Sequence, residues 1–503
     1  MHLKNFKNVD VFLIFVLIRV LSVFIVQTFF VPDEYYQSLE VAHRLVFGYG
    51  HLTWEWHQGI RSYGYPLLFA LLYKVLYTLG LDSPQVVIYV PRIAQALLSA
   101  YSDLCFYRWS GTKKWAVFSI CSSWFWFYTC SRTLINTFET SFTTIALSHF
   151  PWLGKGPETS SSFIWIAAGL FCIRATSAVI WLPMCLFHLC ISQTKAFKLV
   201  TTKYIPIGLI VLTMSIILDS LCYGSFQITT YNFLKANIFQ NVATNYGTQP
   251  WHWYLSSGIP TILGIQILPF IMGVLVVLKA RQNHLNELAM LGTVIFATLI
   301  FSLLPHKEFR FLLPLLPIML FVSSRFLSAW SRKASRASVW LATFIIFIGS
   351  LLPAYYIGYN HQRGTLDVME ELQHIALKDP ENVSLLFLMP CHSTPLYSHI
   401  HINVKTRFLT CNPNLDGIED YIDEADQFYA KPNNWLRQNY PPNSTLPSHI
   451  VCFDTLVPLI GNDILTRYKR IKQFFHCDFP LSSRIGANVL IHERKDFEIL
   501  WTT

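Results

Sequence analysis

Long apolar runs separated by short polar segments are the main pattern in this chain of 503 residues. The first run, Val11–Phe30, has the length that a helix needs to cross a bilayer. Further apolar runs follow, so the pattern predicts an all-α polytopic membrane protein with about eleven transmembrane helices. The later runs cover roughly 86–107, 115–130, 134–150, 161–173, 175–190, 204–222, 261–280, 288–304, 311–327 and 338–357. Several runs between 134 and 190 are shorter than the ~20 residues of a straight span, which predicts broken or re-entrant helices.

The distribution of lysine and arginine predicts the orientation of these helices. Lys4 and Lys7 precede the first run, so we expect a cytosolic N-terminus and a lumenal segment after Phe30. The short run Tyr65–Leu79 contains Lys74 and either spans the membrane or lies flat in its interface. The flat arrangement keeps the later basic loops cytosolic, so we favour it. It gives a transmembrane core over 1–358 with lumenal loops at 32–85, 223–260 and 305–311.

Residues 359–503 are predicted to form a small lumenal α+β domain, the tail. Asp, Asn, Pro and His become frequent there, and short β-type runs occur at Val383–Met389 and His449–Phe453. The four cysteines of the tail permit two disulfides in an oxidising lumen, with free thiols as the alternative. These cysteines are Cys391, Cys411, Cys452 and Cys477. Asn382 and Asn443 begin glycosylation sequons, which also favours a lumenal tail.

The composition supports a membrane location and excludes some functions. Hydrophobic residues make up 53% of the chain and charged residues 13%, against about 25% charged residues in soluble domains. The formal net charge of +9 comes largely from short loops between spans, so it does not indicate a nucleic-acid partner. The sequence contains no metal-binding spacing, P-loop or nucleophile elbow, so we expect no metal and no cofactor.

Two adjacent carboxylates, Asp33 and Glu34, follow the first span directly. Desolvating carboxylates at a bilayer surface costs free energy, so their presence calls for an explanation. One explanation is the start of a helix at Pro32, where acidic residues are favourable, and the other is general-base catalysis. Helical spacing puts Gln37 and Glu40 near the same face, which makes them candidate substrate-binding residues.

Two aromatic segments are candidates for binding a sugar. Rings interleaved with hydrogen-bonding groups suit the CH faces and the hydroxyls of a sugar, whereas an interfacial aromatic belt is the alternative. The candidate residues are Trp54, Glu55, Trp56 and Arg61 in the first segment and Trp251, His252 and Trp253 in the second.

A short turn, Pro305–Arg310, contains four ionisable residues between two strongly apolar runs. Its charges are therefore expected at the membrane surface. His306, Lys307 and Arg310 are candidates for binding a lipid phosphate there, because cationic side chains form strong hydrogen bonds with phosphate oxygens. A solvated hairpin turn is the alternative.

Ionisable residues also occur within the predicted spans, among them Arg132, Glu139, Arg174 and Asp219. Such residues usually face a cavity or pair with one another. The sequence suggests one internal pair, Arg132 with Glu139.

Several of these motifs resemble the mannosyltransferases of glycosyltransferase family 22. Pro32-Asp-Glu opens the first lumenal loop, and His306-Lys-Glu-Phe-Arg-Phe311 resembles the family's His-Lys-Glu-x-Arg-Phe signature. Further motifs are similar to the family member that acts in the assembly of glycosylphosphatidylinositol (GPI) anchors. They are Ser38–His43, Leu52–Trp56, Arg61–Tyr63, Pro250–Tyr254, Met389–Pro395 and Asp423–Tyr429. The resemblance covers nearly the whole chain, although Val31 stands where many relatives have histidine.

The resemblance implies a GT-C fold, a lumenal active site in the endoplasmic reticulum and dolichyl phosphate mannose as the donor substrate. The implied reaction adds the third mannose, α1,2-linked, to the dimannosyl GPI precursor, with inversion at the anomeric carbon. Asp33 would be the base that deprotonates the acceptor hydroxyl, with Glu34 as the substitute. The expected partners are these membrane lipids, and the sequence identifies no protein partner.

Two alternatives stay open on the sequence. A related enzyme of N-glycan precursor assembly would use the same donor and chemistry, but the tail motifs and the Trp-Glu-Trp segment argue against it. A polytopic lipid transporter would use the charges within the spans as its pathway. That class predicts repeat symmetry between the halves of the chain, which the sequence lacks.

Overall fold

The computed structural model describes residues 8–154, 161–240, 242–415, 418–442, 444–461, 463–480 and 482–497. Its contacts divide the chain into two units. The first consists of Met1–Ile25, Glu55–Leu67 and Pro91–Ala354, and the second of Val26–Trp54, Leu68–Val90 and Tyr355–Thr503. The second unit thus combines the predicted tail with two segments that the sequence analysis placed in the transmembrane core.

Helices dominate the described chain up to Tyr355. Some begin at a proline, whose fixed φ suits a first helical turn, as at Pro66 and Pro84. Others end at a glycine with positive φ, as at Gly48 and Gly224. The α-helices are Asn8–Ile25, Glu40–Phe47, Trp54–His57, Pro66–Thr78, Pro84–Ser110, Lys114–Cys121, Trp124–Thr129, Ile135–His149, Ser162–Ile173, Ala178–Ile191, Ala196–Leu199, Ile205–Tyr223, Thr229–Leu234, Ile259–Leu263, Ile267–Lys279, Leu285–Leu303, Leu316–Trp330 and Arg336–Tyr355.

Six helices of the described part are long and apolar enough to cross a membrane. They are Asn8–Ile25, Ala196–Tyr223, Tyr254–Lys279, Leu285–Leu303, Phe309–Trp330 and Arg336–Lys378. Among the other predicted runs, 115–130 is split into two helices, and an extended Arg174 separates two short apolar helices. The interruption at Arg174 agrees with the broken helices expected between 134 and 190, whereas the run 134–150 forms one continuous helix, Ile135–His149. Pro66–Thr78 has 13 residues, about 20 Å at 1.5 Å per residue, which is too short for a straight span.

The tail contains the mixed sheet that the short β-type runs predict. Its strands are β1 (Ser384–Leu388), β2 (Lys405–Phe408), β3 (His449–Phe453), β4 (Tyr468–Phe475) and β5 (Asn488–Arg494). The strand order is β2-β1-β3-β5-β4, with β1 parallel to β2 and β3, and β5 antiparallel to β3 and β4. β1 and β3 each have a neighbouring strand on both sides, and both consist almost entirely of apolar residues.

Helices of the tail cover this sheet. Leu386, Leu388, Ile450 and Cys452 pack in one apolar cluster with Phe428, Trp435 and Leu436, which lie on two of these helices. A third helix, Gly364–Lys378, contacts β4 and β5. The α-helices of the tail are Gly364–Lys378, Tyr397–Ile400, Glu424–Ala430, Pro432–Asn439 and Val457–Ile460.

One of the two disulfides that the tail cysteines permit is present. Cys391 and Cys411 are bonded. Cys452 and Cys477 are free thiols. Cys452 packs in the apolar cluster of the sheet, and Cys477 donates a hydrogen bond to Gly486 O. The expectation of two disulfides is corrected to one. Asn382 is exposed, as a glycosylation site requires, whereas Asn443 lies outside the described residues.

We expect the tail to lose stability as the pH falls below the ordinary histidine pKa of about 6.5. Burial lowers the pKa of His449, His476 and His492 to about 4. Between these two values the unfolded chain binds more protons than the folded chain, so unfolding becomes easier as the pH drops. The Tm of the full-length protein in detergent should fall between about pH 7.5 and about pH 5.5.

Replacing these three histidines with glutamine should reduce that pH dependence, and replacing the exposed His374 should leave it unchanged. A Tm that does not change over this range in the unmodified protein would contradict the prediction.

Candidate active site

The first candidate cluster lies in the second unit, on the helix that follows the first span. This helix begins after Pro32, has π-helical geometry over Tyr35–Leu39 and becomes α-helical over Glu40–Phe47. π-Helical turns are rare and are frequent at functional sites. The extra residue in each such turn changes the direction in which the following side chains point.

Asp33 and Glu34 both lie in the first turn of this helix, which is compatible with a role in starting the helix and with catalysis. Asp33 is half-buried, whereas Glu34 and Gln37 are buried. Asp33 is therefore the more accessible of the two carboxylates, which suits a base that must reach a substrate hydroxyl. The substrate contact predicted for Gln37 stays a prediction.

Glu40 fixes the tail to this helix. Its side chain is fully buried, and Oε1 accepts hydrogen bonds from Leu396 N at 2.8 Å, Ser398 N at 3.0 Å and Ser398 Oγ at 2.6 Å. Burial raises the pKa of Glu40, and these hydrogen bonds oppose the rise. Tyr36 donates a further hydrogen bond to Thr394 O at 2.9 Å. The geometry favours a structural role for Glu40, and its contact with substrate stays a prediction.

Two histidines close to the first turn were missed by the sequence reasoning. The ring of Tyr36 lies 4.4 Å from that of His392 and 6.2 Å from that of His51, between centroids. Burial and the neighbouring His51 lower the pKa of His392 to about 4, and the Asp33 charge opposes them. A signal is present in the sequence, because the family-like motif Met389–Pro395 contains His392.

A second pair of histidines connects the same helix to the tail. His43 Nε2 and His401 Nδ1 are 2.9 Å apart, and His43 Nδ1 lies 3.1 Å from Tyr49 O. Burial, with the neighbouring His401, lowers the pKa of His43 to about 3. Two neutral imidazoles share one N–H between their rings, so this contact holds the helix to the tail without adding charge.

In the first unit, the short helix Trp54–His57 leads into a loop that contains Arg61. Arg61 donates two hydrogen bonds to Glu55 Oε1, at 2.5 and 3.1 Å. Trp56 is 2% exposed and packs on Tyr63, with 4.8 Å between ring centroids. Trp54 itself belongs to the second unit and is half-buried. Glu55 and Arg61 thus pair with each other and Trp56 packs on Tyr63, and the substrate contacts predicted for Trp54, Glu55, Trp56 and Arg61 stay predictions.

Asp219, one of the residues within the predicted spans, anchors this loop. Its Oδ1 accepts hydrogen bonds from Ser62 Oγ at 3.0 Å and from Tyr63 N at 2.9 Å. Its Oδ2 accepts one from Thr229 Oγ1 at 2.7 Å. The structure therefore gives Asp219 a positional role in the first unit.

The turn Pro305–Arg310 also lies in the first unit, and its lysine is fully engaged. Lys307 is 5% exposed, and Nζ donates hydrogen bonds to Leu304 O at 2.5 Å, Gln249 O at 2.9 Å and Pro305 O at 3.5 Å. An ammonium group has three N–H donors, so these carbonyls use all of them. Direct contact of Lys307 with a phosphate stays a prediction.

A charged triad occupies the rest of the turn. Arg310 Nε and Nη2 donate to the two oxygens of Glu308 at 2.5 and 2.6 Å, and His306 Nε2 lies 2.9 Å from Glu308 Oε1. Burial raises the pKa of Glu308, but Arg310 and His306 outweigh it and hold the pKa well below its usual range. Burial lowers the pKa of His306, but the hydrogen bond and the charge of Glu308 outweigh it, so this pKa is raised. The turn therefore keeps an excess of positive charge.

Part of the second aromatic segment packs on this turn. Gln249 N donates to Pro305 O at 2.9 Å, and the Trp253 ring lies 4.7 Å from that of Phe309. Trp251 is 71% exposed, and His252 is also exposed. The structure thus brings Trp253 to the charged turn and leaves Trp251 and His252 at the surface.

Buried polar groups support the same turn. Asn136 Nδ2 donates to Arg310 O at 3.1 Å. Glu139 pairs with Arg174 at 3.1 Å, and the guanidinium carbon of Arg174 lies 5.6 Å from the centroid of the Phe311 ring. The sequence suggested Arg132 as the partner of Glu139, and the structure corrects this to Arg174. Arg174 directly follows the helix Ser162–Ile173, which packs against the helix of Glu139 and so brings the two side chains together.

The described residues contain one group of three side chains with metal-ligand spacing, Cys391, His392 and Cys411. The two cysteines are joined in a disulfide, so their thiolates are not available to a metal ion. These residues therefore do not fit a metal site in the oxidised chain. The expected absence of a metal and of a cofactor stays a prediction.

The comparisons with known proteins point to one family. The model of the Alg9-like mannosyltransferase family matches residues 10–401. GPI mannosyltransferase 3 of Drosophila melanogaster is 48% identical, over 94% of this chain and 84% of the relative. GPI alpha-1,2-mannosyltransferase 3 of Homo sapiens is 41% identical, over 97% of this chain and 88% of the relative.

A solved structure supports the GT-C fold. The crystal structure of ArnT from Cupriavidus metallidurans bound to undecaprenyl phosphate aligns with a TM-score of 0.59. The alignment covers 97% of this chain and 98% of that chain, at 11% sequence identity. At this identity the similarity is one of fold.

We expect Glu40→Ala to destabilise the full-length protein by about 1–3 kcal/mol, because the donors of Leu396 and Ser398 lose their common acceptor inside the protein. Glu40→Gln keeps an oxygen in the same position and should cost less. The free energy of unfolding in detergent measures the effect of both substitutions. Glu370→Ala removes an exposed glutamate of the tail and should have little effect. Equal stability of Glu40→Ala and Glu370→Ala would contradict the structural role of Glu40.

We expect Glu308→Gln to destabilise the first unit by about 1.5–3 kcal/mol, because hydrogen bonds to a charged group are lost beside a buried Arg310. Asp426→Asn, which breaks the exposed pair with Arg484, should cost at most about 1 kcal/mol. The difference in the free energy of unfolding between the two variants shows how much the triad contributes to stability. A smaller effect of Glu308→Gln than of Asp426→Asn would show that the triad contributes little.

Proposed function

The chain belongs to the Alg9-like mannosyltransferase family, and on that basis we propose that it adds the third, α1,2-linked mannose to the dimannosyl GPI precursor. The donor substrate would be dolichyl phosphate mannose, and the reaction would take place on the lumenal side of the endoplasmic reticulum membrane. The enzyme is a multi-pass membrane protein, which suits two substrates that are both anchored in lipid.

One observation supports this acceptor most strongly. The family model ends at residue 401, whereas the similarity to the human relative extends over 97% of the chain. Most of the sheet of the tail, from β2 onwards, therefore lies in the part shared with relatives that are named for GPI. A tail shared with these relatives favours a GPI acceptor over the glycan precursors that other family members elongate.

Asp33 is proposed as the base of a single displacement. It takes the proton from the acceptor 2-hydroxyl while the hydroxyl oxygen forms a bond to the anomeric carbon of the donor mannose. The bond from that carbon to the phosphate oxygen breaks, and dolichyl phosphate leaves with the electron pair. The half-buried position of Asp33 and the burial of Glu34 support Asp33 as the base and leave Glu34 as the substitute.

The turn Pro305–Arg310 is proposed to stabilise the phosphate of the donor. Its excess positive charge supports this role, because cations stabilise the negative charge that develops on a leaving phosphate. Arg310 and His306 already share Glu308, so a phosphate would add to this network or replace part of it. Lys307 would act through its charge, since carbonyls engage its amino group.

The test uses cells that lack surface GPI-anchored proteins because this mannosyl transfer is missing. The unmodified chain should restore these proteins, and Asp33→Asn should not, since loss of a general base reduces turnover by about 10²- to 10⁴-fold. Asp420→Asn is the matched control, because Asp420 is exposed and asparagine tolerates its positive φ of 54°.

Anchored proteins at the cell surface are counted by flow cytometry, and the accumulated lipid is identified by mass spectrometry. Full rescue by Asp33→Asn at equal expression would exclude Asp33 as the base. The N-glycan enzyme would be favoured by two results together. The unmodified chain would fail to rescue these cells, and it would rescue cells that accumulate a truncated dolichol-linked oligosaccharide.

A further inference from the structure

The second unit holds a tail loop, Met389–Ser398, in one fixed position beside the helix of Asp33. The disulfide between Cys391 and Cys411 ties one end of the loop to the segment after β2. Glu40 holds the other end through Leu396 and Ser398, and Tyr36 holds the middle through Thr394 O. A loop held at three points presents its side chains in a defined geometry.

His392 has an unusual backbone conformation in this loop. Its φ is +57°, in the left-handed region that a residue with a Cβ rarely adopts. Such conformations cost free energy and persist where the surrounding structure enforces them, often at functional sites. Here His392 lies in a turn that the hydrogen bond from Ser393 N to Pro390 O closes at 3.2 Å, and the preceding Cys391 is held by its disulfide.

The conformation directs His392 into an aromatic cluster, which consists of Tyr36, His51, His392 and Phe408. His392 lies 4.4 Å from Tyr36 and 5.8 Å from Phe408, and His51 lies 4.7 Å from Phe408, between ring centroids. Two segments of the second unit contribute two rings each, Val26–Trp54 and the tail. Tyr36 is buried, whereas His51, His392 and Phe408 are half-buried residues.

The cluster has the chemistry of a sugar site. Burial keeps the pKa of His392 near 4, so its imidazole is neutral at lumenal pH and offers one N–H donor and one nitrogen acceptor. A sugar hydroxyl is also both donor and acceptor. Phe408 offers an apolar face for the CH groups of a pyranose ring, in the way that ligand sites combine aromatic walls with a few polar groups.

We propose that the aromatic cluster is the subsite for the terminal mannose of the acceptor, so that the tail selects the glycan that the enzyme extends. This inference rests on the proposed function and deepens it. The acceptor is favoured over the donor because Asp33, the proposed base, must lie within hydrogen-bond reach of the acceptor hydroxyl. In a single inverting displacement the leaving phosphate departs on the opposite side of the anomeric carbon.

The test compares the steady-state kinetics of two variants, one in the tail loop Met389–Ser398 and one in β2. His392→Asn removes the imidazole and keeps a residue that adopts positive φ readily. Phe408→Leu removes the ring and keeps an apolar side chain in β2. Each should raise KM for a dimannosyl GPI acceptor about tenfold, the order expected when a hydrogen bond or ring contact is lost. KM for dolichyl phosphate mannose should remain within about twofold of its original value.

Matched controls come from exposed positions of the tail. His374→Asn and Phe479→Leu make the same chemical changes outside the cluster and should leave both KM values unchanged. The Tm of each variant shows whether it folds. If His392→Asn fails to fold, Phe408→Leu decides the test, and a failure of both to fold would assign the cluster to the core and overturn the proposal.

The proposal is also overturned if both KM values rise together, if kcat falls while the acceptor KM is unchanged, or if neither constant changes. Activity of the unmodified enzyme separates this inference from the proposed function. No transfer by the unmodified enzyme to the dimannosyl GPI acceptor would reject the proposed function itself. Transfer with unchanged acceptor KM in the variants would reject the subsite alone.

Discussion

The second unit depends on one buried carboxylate, that of Glu40. A carboxylate taken out of water is tolerated only where hydrogen-bond donors replace the water, and here the donors come from Leu396 and Ser398. The dependence is mutual, because the short helix Tyr397–Ile400 begins with N–H groups that lack partners within the helix. Helix and tail loop therefore each satisfy the polar groups of the other, and the position of Asp33 relative to His392 follows from that contact.

The sequence predicted best what depends on neighbours in the chain. Apolar runs located the helices, and the runs at Val383–Met389 and His449–Phe453 located β1 and β3, because periodicity and chain composition are local properties. The position of Asp33 at the end of the first span was visible for the same reason. The family motifs also lie in continuous stretches, so they could be read without the fold.

Contacts between distant segments could not be read in this way. Glu139 pairs with Arg174 rather than with Arg132, because Arg174 follows the next helix along the chain and that helix packs against the helix of Glu139. The role of Glu40 was missed because its partners lie in the tail. His51 and His392 belong to segments far apart in the chain, and only the fold brings both to Tyr36.

The hydrogen bonds of Glu40 also impose an order on the making of the enzyme. Its partners lie 356 and 358 residues further along the chain, so the helix of Asp33 is synthesised long before the residues that it contacts. Until then the carboxylate must stay hydrated. A nascent chain that does not yet include Leu396 and Ser398 therefore leaves the carboxylate of Glu40 without these internal donors.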